Sequence, residues 1–146
     1  MPRRSPALVL VHVVWATSHR RHILPPAFDP LLAAILGHKA HDLACALLAA
    51  GCGPDHVHVL LRVAPTIALS DLVQRMKGAS THDVNQRRLL PGRLAWQAGY
   101  WAESLGPLDL DPLTHYLRSQ RERHDDSHPA ERWQFAFDGE PAEGGL

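Results

Sequence analysis

The chain has 146 residues, of which 45% are hydrophobic and 21% charged, a composition that suits one globular domain. Fifteen basic residues balance 15 acidic ones, which argues against a protein that binds duplex nucleic acid simply by coating its phosphates. The sequence contains no apolar run long enough for a membrane span and no signal-cleavage pattern. Cys45 and Cys52 form no metal pair and no disulfide framework. A cytoplasmic protein without a membrane partner is therefore expected.

Hydrophobic periodicity and turn residues predict four strands and three helices. The first strand is a valine-rich alternating run, and Gly51, Gly53 and Pro54 separate two short apolar runs that predict a hairpin. Asp111 followed by Pro112 predicts the start of the last helix, with the acid as its cap. The predicted strands span residues 7–17, 44–52, 55–63 and 97–105, and the predicted helices span 28–43, 68–88 and 111–124.

The order of these elements contains the split βαβ arrangement. It predicts an α+β, ferredoxin-like sandwich in which a four-stranded antiparallel sheet carries its helices mainly on one face. In that topology the first and third strands are usually central. We expect one domain over residues 1–124 and an irregular tail over 125–146, in which Trp133, Phe135 and Phe137 alternate as in a short docked strand.

Two histidines in the third strand are the first candidate site. His56 and His58 lie two residues apart, so they leave the same side of a strand with attachment points about 6.5 Å apart, and both rings can bind one ion. Eleven histidines would give roughly one such pair by chance. The alternative is therefore a pair at the edge of the core, hydrogen-bonded to backbone. Asp55 is expected to face the other side of the strand and to be structural.

Tyr116 and Gln120 form a second candidate pair. They are four residues apart in the last predicted helix, so both side chains leave the same face one turn apart. The alternative is an aromatic packed beside Leu113 and Leu117, with an exposed glutamine. In the predicted topology the last helix can bring Tyr116 to the histidines.

Ordered sequence blocks extend beyond these two pairs, at residues 11–17 with 20–21, 54–61, 76–78, 96–97 with 99–100, and 115–120. Taken in order, these blocks resemble the single-tyrosine HUH transposases of bacterial insertion sequences, which cut and rejoin single-stranded DNA. The resemblance implies an HUH endonuclease fold with Tyr116 as the nucleophile. It also implies that His56, His58 and Gln120 hold a divalent cation.

Two imidazoles and one amide oxygen leave open coordination positions, which suits Mg²⁺ or Mn²⁺ completed by a phosphate oxygen and water. The resemblance implies that Tyr116 attacks DNA at a hairpin end and forms a 5′-phosphotyrosine with a free 3′-hydroxyl. It implies single-stranded DNA with a hairpin as one partner, and a homodimer with composite active sites. Expected phosphate contacts are Arg20, Arg21, Arg75 and Lys77. Ser18 and His19 stand where the family usually has a lysine and an aromatic residue.

Two other classes of function remain open. A catalytically inactive or domesticated copy would bind a DNA hairpin, and neither Tyr116→Phe nor chelation would affect that binding. A histidine-rich metal hydrolase would turn over substrate without a protein-bound intermediate. Trp15, Trp96 and Trp101 are expected in the core, although one of them could stack on an unpaired base.

Overall fold

The computed structural model describes residues 7–119, and its elements follow the predicted order. Gln120, the predicted domain boundary at 124 and the alternating aromatic residues of the tail lie outside the described residues. Among the described helices, none is long and apolar enough to cross a membrane. The strands are β1 (Leu10–Ala16), β2 (Ala46–Cys52), β3 (His56–Arg62) and β4 (Trp101–Leu105), and the helices are α1 (Asp29–Asp42), α2 (Leu69–Gln86) and α3 (Leu110–Arg118).

The four strands form one sheet in the order β2-β3-β1-β4, and each neighbouring pair is antiparallel. The first and third strands are therefore central, as predicted. Val14 of β1 lies opposite His58 of β3 in this register, and His12 lies opposite Leu60. The predicted α+β fold is confirmed, and it places the two histidines in the middle of the sheet.

Alternation along the central strands separates two faces of the sheet. Val13, Trp15, Val57 and Val59 belong to the large apolar core with residues of α1 and α2. The side chains between them face the opposite side, where Leu60 packs against Tyr116 and Leu117 of α3. Two helices thus cover one face and α3 covers the other, which confirms the prediction of helices mainly on one face.

Several predicted boundaries differ from the observed ones by a few residues, and two of them differ for identifiable local reasons. A 3₁₀ turn at Pro107–Asp109 leads directly into α3, and the Asp109 carboxylate accepts the backbone N–H of Gly106 at 3.0 Å. The helix therefore begins at Leu110, and Asp111 lies in its first turn instead of capping it. The last strand begins at Trp101 instead of residue 97, because the chain turns at Gly99, whose φ is 84°.

Candidate active site on the histidine face

The sheet face that carries α3 brings together three of the four residues predicted to form the catalytic centre. We call this surface the histidine face, and define it by His12, Val14, His56, His58, Leu60 and Trp101. The ring centroids of His56 and His58 are 5.0 Å apart. The Tyr116 ring stands edge-on to the His58 ring, 6.3 Å away. His58 is 0% exposed and Tyr116 is 1% exposed. A single chain therefore places its own tyrosine beside its own histidine pair.

Two glycines, one in β2 and one just after it, leave room for α3 and for a histidine ring on this face. Gly51 lies directly opposite His58 in the sheet register. A Cβ atom at Gly51 would lie 2.0 Å from the backbone oxygen of Leu117, far inside van der Waals contact. A Cβ atom at Gly53 would likewise lie 2.3 Å from Cε1 of His56, so glycine at that position leaves room for the imidazole ring. The two glycines therefore make room for the helix that carries Tyr116 and for the first histidine.

Asp55 fixes the orientation of His56. Nδ1 of His56 donates to Oδ1 of Asp55 at 2.7 Å, and Nε of Arg20 donates to the other carboxylate oxygen at 3.0 Å. Burial by itself raises the pKa of Asp55, but the hydrogen bond and charge of His56, together with the charge and hydrogen bond of Arg20, hold the pKa of that carboxyl below its usual value. The expectation that Asp55 faces away is wrong, because β3 begins at His56 and strand alternation does not extend to Asp55.

His12 is a member of the site that the sequence analysis did not identify. Its Nε2 and Nδ1 of His58 are 2.9 Å apart and share a hydrogen bond. The two rings are stacked with centroids 5.1 Å apart, and the Trp101 ring meets His12 edge-on at 5.4 Å. His12 is diagonal to His58 across the central strand pair. Only the register of β1 against β3 could have revealed this neighbour.

The donor chemistry of the histidine face fits a divalent cation. Nδ1 is engaged in both His56 and His58, so Nε2 is the ring nitrogen that each could offer to a metal. Histidine ligands typically have their second nitrogen held in this way. Within residues 7–119, no group of three or more His, Cys, Asp or Glu side chains is arranged to hold a metal ion. The two imidazoles would thus act with a ligand of another kind, such as the amide predicted at Gln120.

The predicted phosphate contacts are divided between two places. Arg20 lies at the end of the histidine face in its ion pair with Asp55, and the next residue, Arg21, is exposed. Arg75 and Lys77 belong to α2, on the opposite side of the sheet, where Arg75 is exposed. Nζ of Lys77 donates to the backbone oxygens of Gln97 and Gly99. The structure therefore does not bring these four side chains together.

We expect the unfolding free energy to rise with pH between about 8 and 10 because of Lys77. Burial lowers the pKa of Lys77 from 10.5 to about 8. The folded chain therefore loses this proton before the unfolded chain does, and deprotonation favours the folded state across that window. Urea unfolding at a series of pH values should show the rise in wild type and in Lys39→Met, which changes the only other lysine. A rise of equal size in Lys77→Met would contradict this assignment.

Comparison with known proteins identifies the family of the chain. Residues 7–120 match the model of the family described as "Transposase IS200 like". The ISDra2 transposase TnpA of Deinococcus radiodurans is 26% identical over 117 residues, which cover 77% of this chain and 84% of that protein.

Two solved structures share the fold. A Deinococcus radiodurans protein assigned as a transposase has a TM-score of 0.63 at 24% identity, covering 83% of this chain and 97% of that one. A REP-associated tyrosine transposase bound to a REP hairpin has a TM-score of 0.58 at 15% identity, covering 97% of this chain and 90% of that one. Because the family match extends from residue 7 to residue 120, the chain belongs to the IS200-like transposase family.

Proposed function

We propose that this transposase cuts and rejoins single-stranded DNA at hairpin ends through a 5′-phosphotyrosine at Tyr116. His56, His58 and Gln120 would hold the divalent cation, Mg²⁺ or Mn²⁺. The observation that carries the proposal is the position of the Tyr116 ring, edge-on to His58 on the histidine face. The hairpin bound to the REP-associated transposase, whose fold is similar, supports a hairpin substrate.

In the proposed reaction the phenolic oxygen of Tyr116 attacks the scissile phosphorus. The bond from phosphorus to the 3′-oxygen breaks, and the leaving oxygen takes up a proton as the phenol proton passes to an acceptor in the site. When bound, the cation would stabilise the negative charge that develops on the phosphate. The new phosphodiester keeps the energy of the old one, so a 3′-hydroxyl of another strand can reverse the step and join the DNA.

Access to the phenol requires a movement, since Tyr116 is 1% exposed. The small cluster that holds α3 on the sheet contains only Leu60, Tyr116 and Leu117 as fully buried members within residues 7–119. An element held by few buried contacts opens at a low free-energy cost compared with the main core. We propose that an outward shift of α3 admits the DNA and that its return excludes water from the phosphotyrosine.

The proposed partners are single-stranded DNA with a hairpin and a second copy of the chain. Arg20 and Arg21 would contact phosphates at the end of the histidine face, and Arg75 and Lys77 would contact DNA from α2. A homodimer with composite sites remains part of the proposal. The arrangement within one chain, with Tyr116 beside its own His58, also supports a site completed in cis.

The test is formation of a covalent adduct between the full chain and single-stranded hairpin DNA from its own locus. In Mn²⁺ the DNA segment on the 3′ side of the cut should remain on the protein in a denaturing gel, and EDTA should prevent this. Tryptic digestion places both tyrosines, Tyr100 and Tyr116, in residues 94–118, and fragmentation of that peptide should locate the nucleotide on Tyr116. Hairpin binding without an adduct would favour the inactive binding protein, and cleavage without an adduct would favour the hydrolase.

A further inference from the structure

We propose that His12 and Asp55 are positioning residues, which fix the ring tautomers of His58 and His56 so that Nε2 of both histidines is available to the cation. This inference rests on the proposed metal-dependent function. It adds two residues from outside the predicted ligand set. Each of them acts through a histidine and does not touch the metal or the DNA.

Asp55 determines which ring nitrogen of His56 carries the hydrogen. An ionised carboxylate only accepts hydrogen bonds, so the 2.7 Å contact with Oδ1 of Asp55 requires the hydrogen of His56 to be on Nδ1. The ion pair of Arg20 with Oδ2 favours the ionised carboxylate and limits its rotation. The ring of His56 is further confined by the backbone at Gly53, which leaves no room for a Cβ. A metal ligand must be the neutral ring, and in neutral His56 the nitrogen with the lone pair is therefore Nε2.

His12 has the corresponding effect on the tautomer of His58. Their 2.9 Å contact joins Nε2 of His12 to Nδ1 of His58, and either ring could be the donor. Only donation by Nδ1 of His58 leaves a lone pair on Nε2 of His58 for a metal. If Nδ1 of His58 is the donor, Nε2 of His12 must accept, and neutral His12 then carries its hydrogen on Nδ1. Glu103 stands directly opposite His12 in the register of β1 and β4, and a carboxylate at a cross-strand position favours a protonated Nδ1 on His12.

Because His12 and Asp55 are buried, water is a poor substitute for them as hydrogen-bond partners of the two histidines. His12 is 1% exposed and Asp55 is 8% exposed, so water cannot easily replace either of them at Nδ1. Loss of such a partner typically weakens metal binding about 10- to 100-fold. A residue that only supported the fold would change stability and leave the affinity of the folded protein for metal unchanged.

The experiment measures Mn²⁺ affinity of the full chain by electron paramagnetic resonance, without DNA. His12→Phe keeps a ring beside Trp101 but removes the acceptor, and Asp55→Ala removes the carboxylate. Each should weaken Mn²⁺ binding about 10- to 100-fold. His12→Gln, whose amide oxygen can lie near the position of Nε2, should recover most of the affinity. His38→Ala, which removes an exposed histidine of α1, is the matched control and should bind as wild type does.

A second measurement does not depend on the variants. Ring ¹⁵N chemical shifts of metal-free wild type should show protonated Nδ1 and unprotonated Nε2 in both His56 and His58. Protonated Nε2 in either ring at a pH where the rings are neutral, or wild-type Mn²⁺ affinity in folded His12→Phe and Asp55→Ala, would overturn the positioning role alone. If wild type does not bind Mn²⁺, or if His58→Ala binds it equally well, the proposed metal site fails as well.

Discussion

Tyr116→Phe is expected to abolish the covalent protein–DNA adduct while the fold and hairpin binding persist. Phenylalanine retains the ring that packs on Leu60 and Leu117 but has no oxygen with which to attack phosphorus. Loss of a nucleophile typically lowers the rate by far more than 1,000-fold, roughly a million-fold in one well-studied case. Removal of the hydroxyl should cost only about 1 kcal/mol of stability.

The measurement is adduct yield on denaturing gels, with hairpin binding followed in parallel under native conditions. Tyr100→Phe is the matched control, because Tyr100 is the only other tyrosine and precedes β4 in the segment that Lys77 contacts. It should form the adduct normally. An adduct that survives Tyr116→Phe would end the assignment of Tyr116 as the nucleophile.

The same variant also decides whether the site is completed within one chain. Mixed with His58→Ala, Tyr116→Phe would restore the adduct only if the tyrosine of one subunit serves the histidines of the other. A site completed in cis, which the contact of Tyr116 with its own His58 supports, would give no recovery in the mixture. Recovery would show that α3 exchanges between subunits and that the composite sites of the proposed homodimer form in solution.

Gly51→Ala is expected to displace α3 and to reduce adduct formation by at least about 100-fold. The added methyl group would meet the backbone oxygen of Leu117 at 2.0 Å, and a backbone atom in a helix cannot move aside alone. The whole helix must shift, and a misplacement of about 1 Å can cost a factor of 100 in rate. Overpacking of this kind also destabilises by about 1–3 kcal/mol.

Adduct yield and urea unfolding of the same preparations test this expectation. Gly78→Ala is the matched control, since nothing lies within 4 Å of a Cβ at Gly78. Because that glycine is inside α2, alanine there should stabilise the protein by roughly 0.5–1 kcal/mol and leave the adduct yield intact. Wild-type adduct yield in Gly51→Ala would show that the close approach of α3 is not needed for the reaction.

The order of elements and the central place of the histidine strand could be predicted from local patterns. The apolar run in residues 55–63 and the glycine-rich break before it indicate a hairpin strand, and the split βαβ topology then makes the third strand central. The last helix is also predicted at Tyr116 from its local pattern, and α3 does face the histidines. These features depend on residues close together in the sequence.

The partners of the histidines depend on distant residues and could not be predicted in the same way. His12 meets His58 only because of the register between β1 and β3, and a shift of one residue would turn His12 to the other face. Asp55 turns back to His56 because it precedes the strand. The need for glycine at position 51 arises from Leu117, a helix residue more than 60 positions later in the chain.

Because the sheet separates the main core from the histidine face, the residues that keep this protein folded are largely different from those proposed to perform its chemistry. Mutational decay of the tyrosine or of a histidine in a resident genomic copy would then leave a well-folded product. Such a product could still occupy the hairpins of its own element and compete with intact enzyme. Under the proposed function, an inactivated copy would therefore compete with active relatives for the same hairpins.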